Sequence, residues 1–193
     1  MRTFSAVPLP LDLRARLWKR TGRLRATPTR VSWVATEQMH LTLAFHGEQP
    51  EACVQTLAEA LDRHCAGQGA FDLEVRGVGW FGGPDKPRVL WAGIGTGSDA
   101  ARTLQQQAAQ AMVDAGLPPE TRSWHPHITL GRVRDHSRRR PAELLAEVQR
   151  LQEEPLGQCS ADRVLLMRSV LTDRGPRHSE LRQIPLAPAQ AAG

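Results

Sequence analysis

Apolar positions along this 193-residue chain follow two rhythms, and the rhythms recur twice in the same order. RTFSAVPL (2–9) reads as a strand. PLDLRARLWKRTG (10–22) follows as a helix, with Leu11, Leu17 and Trp18 at helical intervals and Gly22 as its stop. HLTLAFHG (40–47) has the period of two expected of a strand. PEACVQTLAEALDRHC (50–65) predicts a helix with proline at its start, and AFDLEVRGVGWF (70–81) a strand. The series then restarts. RVLWAGIG (88–95) predicts a strand, and SDAARTLQQQAAQAMVDAG (98–116) a helix capped by Ser98 and stopped by Gly116. HPHITLGRV (125–133) predicts a strand, PAELLAEVQRLQ (141–152) a helix again begun by proline, and ADRVLLMRSVL (161–171) a strand. A last strand is expected around QIPL (183–186), a turn between the halves at GGPDKP (82–87), and a mobile tail at 187–193.

The order β-α-β-α-β, stated twice, predicts an α+β fold in one domain. Its half-repeats span about 1–81 and 88–187, forming two sheet-and-helix lobes related by an approximate two-fold axis and facing each other across a central cleft. The offset is nearly constant: His40 and His127 lie 87 residues apart (127 − 40), and the first strands of the halves 86 apart (88 − 2).

Composition narrows the class. No apolar run approaches the length of a membrane span, and Pro8, Pro10 and Asp12 interrupt the start where a secretion signal needs an apolar stretch. Cys53, Cys65 and Cys159 lack the spacing of a zinc cage and fit reduced thiols in a cytoplasmic protein. The net charge of +5 favours a polyanionic partner, and of the 25 cations only Lys19 and Lys86 are lysine. Arginine suits phosphate through its two-pronged donor geometry, although a compositional bias of the genome accounts for it equally well. The densest basic run, RVRDHSRRR (132–140), directly follows the second histidine strand and points to a nucleic-acid path, with a solvated loop as the competing explanation.

The two histidine strands share the pattern His-x-Thr-Leu, at 40–43 and 127–130. Alternation puts His40 with Thr42 on one face, and His127 with Thr129, while Leu41, Leu43, Ile128 and Leu130 take the other. Paired about the axis, the two faces would line one cleft with two imidazoles and two hydroxyls. In-line displacement at phosphorus needs that set: a base on the entering side, an acid on the leaving side, and donors for the non-bridging oxygens. A strained cyclic phosphodiester fits, and the step requires no metal or other cofactor. A single buried His beside Thr is more often packing than catalysis, but packing has no need of the same polar pair in both halves.

Other candidates are weaker. His125 with His127 forms an HxH pair, yet no acidic residue joins it and His40 has no such mate, so a metal site is not expected. GIGTGS (93–98) lacks the spacing and the lysine of a phosphate-binding loop. His46, His64, His136 and His178 stand alone and are expected to be surface or packing residues. Trp33, Phe45, Trp80 and Trp124 could stack on a base, with core packing the commoner use.

The paired motifs, with GVGWFGGPDKPRVLWAGI (77–94) and LLMRSVLTDRGPRH (165–178), resemble the two-histidine phosphoesterase superfamily, and within it the RNA 2′,3′-cyclic phosphodiesterase branch long called 2′-5′ RNA ligase. The likeness runs over nearly the whole chain. It implies a bilobal fold and metal-independent hydrolysis of a terminal 2′,3′-cyclic phosphate on RNA to a 2′-phosphate. Apart from the resemblance, nothing in the sequence indicates a partner subunit, so a monomer is the default expectation. By position, His40 would be the proton donor to the leaving 3′-oxygen and His127 the proton acceptor from water. Thr42 and Thr129 would hold the phosphate, joined by Arg132. Strict alternation sets Arg132 on the opposite face from His127, so that role requires the strand to end or twist there. The chain departs from the family's look at His46, where leucine is usual, at His125, and in RHSEL (177–181), which lacks a common tyrosine. Two alternatives stay open: ATP-independent 2′-5′ ligation, the reverse chemistry, and an RNA-end binding protein without turnover.

Overall fold

The structure, a computed structural model, describes residues 1–83, 85–121, 123–134, 141–172 and 175–189. Among the described residues nine strands form one sheet, and the helices pack against it. In chain order they are β1 (Arg2–Pro8), α1 (Leu11–Arg20), α2 (Gly22–Arg25), β2 (Val31–Trp33), β3 (His40–Glu48), α3 (Glu51–Cys65), β4 (Phe71–Gly83) and β5 (Lys86–Ile94). Then come α4 (Ser98–Asp114), β6 (His127–Val133), α5 (Ala142–Arg150), β7 (Pro155–Ala161), β8 (Arg163–Thr172) and β9 (Gly175–Pro185). The strand order is β7-β4-β5-β6-β3-β1-β8-β9, with β2 beside β6, and the pairs are antiparallel.

This order makes the two lobes. One is β7-β4-β5-β6 and the other β3-β1-β8-β9, joined where β3 and β6 meet at the single pair Leu41↔Ile128. The closing strands are exchanged. β4 follows the first motif in sequence yet pairs with β5, while β8 follows the second motif and pairs with β1. Helices cross over too: α1 follows β1 but packs on β7, and α4 follows β5 but packs on β3.

Burial explains the helix faces. Val54, Leu57, Leu61 and Cys65 give α3 an apolar stripe, and Ala101, Leu104, Ala108 and Met112 give α4 a flatter one that lets the two helices lie close. In α1 the buried pair is Leu13 and Leu17, one turn apart; of the expected Leu11, Leu17 and Trp18, only Leu17 turns inward. Leu11 is 67% exposed, and Trp18 lies at the surface under the Arg25 guanidinium, 3.5 Å from the ring centre. Ser98 is the first helical residue of α4, and the cap is Gly97, whose φ of 84° suits glycine; a Cβ there would meet the Asp72 carbonyl oxygen at 2.2 Å. GIGTGS is therefore a tight turn into a helix. Gly116, at φ 78°, terminates α4 just past its cap residue Ala115.

Candidate active site

The two histidine strands sit in ladders of the same register. β1 pairs with β3 through Phe4↔Phe45, Ser5↔Ala44, Ala6↔Thr42, Val7↔Leu41 and Pro8↔His40. β5 pairs with β6 through Val89↔Arg132, Leu90↔Gly131, Trp91↔Thr129, Ala92↔Ile128 and Gly93↔His127. Each ladder skips one residue of the histidine strand, Leu43 in the first and Leu130 in the second, which is a β-bulge. Leu43 with Ala44, and Leu130 with Gly131, are consecutive buried residues. The bulge thus resets the alternation, and Arg132 and Phe45 emerge exposed on the face of the threonines. Here lies the twist that a role for Arg132 requires.

Where the strands meet, Leu41 faces Ile128. Extending that antiparallel register by one residue each way sets His40 opposite Thr129 and His127 opposite Thr42 (both pairs, like the first, sum to 169). Each imidazole is fixed in the same way. His40 Nδ1 lies 2.7 Å from the Gln38 carbonyl oxygen, and His127 Nδ1 lies 2.7 Å from the His125 carbonyl oxygen. A carbonyl only accepts, so Nδ1 carries hydrogen in both rings and Nε2 is left to exchange a proton with a ligand. Among the described residues no protein group bonds either threonine hydroxyl, so both are available to a ligand.

The site disfavours extra positive charge when empty. Burial pushes the His40 pKa down to about 4; the bond to Gln38 opposes this, and the nearby His178 and His127 add to it. His127 is lowered as well, first by burial and then by the charges of His125 and Arg132, against the bond to the His125 carbonyl. The charge of His127 acts on His40, and that of Arg132 on His127, which places all three in one electrostatic neighbourhood. An anion entering between them would reverse the sign of the effect.

The surroundings of the two histidines differ. His127 meets Phe81 edge-on at 4.9 Å between ring centres, and Trp91 and His125 complete that wall, themselves 4.9 Å apart. His40 stacks on Phe4 at 4.9 Å, and His178 stands edge-on to both Phe4 (4.8 Å) and His40 (5.6 Å). His178, expected at the surface or in packing, does pack, and its partners are Phe4 and His40. It reaches them because β9 folds back on β8. Gln38 ties the two together: its carbonyl holds His40 while its side-chain amide donates to the Pro176 carbonyl on β9.

The remaining candidates separate cleanly. Trp124 Nε1 donates to the Thr42 carbonyl at 3.0 Å, so that indole braces the motif. Trp80 Nε1 donates to the Gly83 carbonyl, and Trp33 packs against Gly131. Phe45 is 55% exposed and lies tilted against Phe4, 6.1 Å between ring centres. His46 is buried between the Thr3 and Ser5 hydroxyls, both at 3.3 Å, and desolvation lowers its pKa to about 4. His64 bonds Asp114 at 2.7 Å across α3 and α4. Among the described residues no three His, Cys, Asp or Glu side chains gather as a metal site around His125 and His127. Of the basic run, Arg132 and Arg134 are described; 135–140, including His136, lie outside the described residues.

Three comparisons bear on this site. The model of a family described as the 2′-5′ RNA ligase superfamily matches residues 13–173. An RNA 2′,3′-cyclic phosphodiesterase of Methanothermobacter thermautotrophicus is 32% identical over 94% of this chain and 96% of its own length, and one of Aeropyrum pernix is 32% identical over 80% and 85%. Among solved structures, a Thermus thermophilus protein superposes with a TM-score of 0.77 at 26% identity, covering 98% of this chain and all of its own. E. coli LigT bound to 3′-AMP superposes at 0.76 and 23% identity over 96% and 97%, a likeness of fold.

Proposed function

We propose that this chain, which belongs to the 2′-5′ RNA ligase superfamily, hydrolyses 2′,3′-cyclic phosphate ends of RNA to 2′-phosphates. The observation that carries the proposal is the matched anchoring of His40 and His127 by backbone carbonyls on two strands that meet at Leu41↔Ile128. His127 Nε2 takes a proton from water as its oxygen bonds to phosphorus. The bond from phosphorus to the 3′-oxygen breaks, and that oxygen takes the proton of His40 Nε2, leaving a 3′-hydroxyl and a 2′-phosphate. Thr42 and Thr129 donate to the non-bridging oxygens, and Arg132 offsets charge as it accumulates. The lowered pKa values mean the bound phosphate itself must help to charge His40.

RNA is the partner in this proposal, the protein acting as a monomer in the cytoplasm; the free thiols of Cys53, Cys65 and Cys159 suit that compartment, and no described helix is long and apolar enough to cross a membrane. The test is product analysis with a cyclic-ended oligonucleotide in the presence of a chelator. A 2′-phosphate product is expected. A 3′-phosphate product, or binding without turnover, would overturn the proposal.

A further inference from the structure

β6 continues past the site. It runs antiparallel to β3, so the residues after Thr129 pass on the side where His40 stands, and there β2 replaces β3 as its neighbour. Val34 N–H donates to the Leu130 carbonyl at 2.9 Å, and the ladder goes on through Trp33↔Gly131, Ser32↔Arg132 and Val31↔Val133. It ends where Arg134 N–H donates to the Arg30 carbonyl at 2.8 Å. Residues paired across a ladder, or two apart along a strand, share a face. Val31, Trp33 and Val133 therefore turn together toward the core, while Arg30, Ser32, Arg132 and Arg134 turn together outward, all exposed.

The ladder thus sets three arginines side by side, Arg132 and Arg134 roughly 7 Å apart along β6 and Arg30 a strand's width away. Like charges opposite each other on a sheet are unfavourable unless something neutralises them. Elsewhere the protein supplies the counter-charge itself: Arg76 holds Glu74, Arg150 holds Glu147, Arg163 holds Asp162 and Arg182 holds Asp62. Among the described residues no carboxylate pairs with Arg30, Arg132 or Arg134. Arg134 Nε–H donates to Ser32 Oγ at 3.3 Å, which ties that side chain to the ladder. Residues 13–36, which lead into and contain β2, hold seven cations and no Asp or Glu.

The proposed reaction says what lies there. The oxygen that leaves phosphorus takes the proton of His40 and stays attached to the rest of the RNA, so the chain continues from the His40 side. We infer that the RNA strand leading up to the reacting end runs outside the cleft along β6 and β2, with Arg134 and Arg30 binding phosphates of the nucleotides that precede the terminal one. The inference rests on the proposed hydrolysis and adds to it a preference for polynucleotides. The separation of Arg132 and Arg134 is close to the step between successive phosphates in an extended strand, and a guanidinium grips phosphate with two parallel donors. Such contacts read backbone charge and carry no base specificity.

The test compares a 2′,3′-cyclic mononucleotide with an unpaired oligonucleotide carrying the same end, over a series of salt concentrations. Wild-type protein is expected to favour the oligonucleotide in kcat/KM by at least about tenfold at low salt and to lose that preference as salt rises. Each phosphate held contributes about 0.7 to the slope of log(kcat/KM) against log salt, so Arg30→Gln with Arg134→Gln is expected to flatten it by about 1.4. The same variant should lose most of the preference. Its turnover of the mononucleotide, too short to reach these side chains, is expected to stay within about twofold of wild type. Arg30→Lys with Arg134→Lys keeps the charge and is expected to keep the slope. Arg102→Gln, which removes an exposed cation on α4, is expected to change neither substrate. Wild-type protein that turns over neither compound refutes hydrolysis itself. Equal use of both compounds by wild type, or an equal loss in Arg102→Gln, refutes the inference alone. So does a double glutamine variant that keeps the wild-type slope or loses both substrates alike.

Discussion

The His40 and His127 half-sites use the same backbone and keep different company. Both have the skipped leucine, the carbonyl-held Nδ1 and the threonine two residues on. Yet Phe45 stands where the other half has Arg132, Ala6 where it has Trp91, and Gln38 where it has His125. What is duplicated is the apparatus to which the proposed reaction assigns proton transfer and the grip on phosphate. What has diverged is whatever lies beyond the phosphate, where the entering water and the leaving ribose make unlike demands.

The strongest way to break the comparison is to remove each imidazole. His40→Ala and His127→Ala are each expected to lower kcat by about 10²–10⁴, and the double variant to fall little further, because acid and base act on one displacement. Single-turnover rates on a cyclic-ended oligonucleotide check this; a tenfold inequality or full additivity would show that the halves do not act as a unit. Next comes the unlike pair beside them. Arg132→Ala is expected to cost about 10–100-fold in kcat/KM, the worth of a hydrogen bond to a charged group, and Phe45→Ala only a few-fold.

A third prediction concerns His46, whose counterpart in the other half is Val133. Its folded pKa, about 4, lies below its unfolded value near 6.5, so the unfolded chain binds more protons in between. Stability is therefore complete above pH 6.5 and lost as pH falls toward 4. His46→Leu should remove about 2 kcal/mol of the destabilisation seen on going from pH 7.5 to 5, measured by urea titration at both. Smallest is a shift in profile. With both site histidines lowered in the free protein, kcat/KM should peak on the acid side of pH 6.5, and the bound phosphate should move the alkaline limb of kcat to higher pH. A kcat/KM maximum at pH 8 would contradict the burial of His40.

The repeated His-x-Thr made the four candidate site residues legible, because a polar pair on a strand has a fixed period and its recurrence needs a cause. The bulge was hidden, since Leu43-Ala44 and Leu130-Gly131 look like ordinary apolar neighbours until their partners are known. β7 and most of β9 escaped for another reason. β9 lies at the sheet's edge, exposed along most of its length, and β7 at the opposite edge starts with proline and holds a glycine at φ 147°, so neither carries a clear apolar alternation. The place of His178 beside His40 was hidden with its strand. The helix face of α1 was read in part: Leu17 turns inward as expected, but Leu11 and Trp18 have helical spacing too, and only tertiary packing reveals that Leu13 is its buried partner.

The exchange of closing strands limits how such a molecule can be divided. Severed at the hairpin between β4 and β5, the first fragment would keep β4 without the neighbour it pairs with on that side, and β1 would lose β8. Neither piece could complete a sheet alone, whereas two copies of one such piece could complete each other. The shape is that of an intertwined pair whose chains have been spliced end to end.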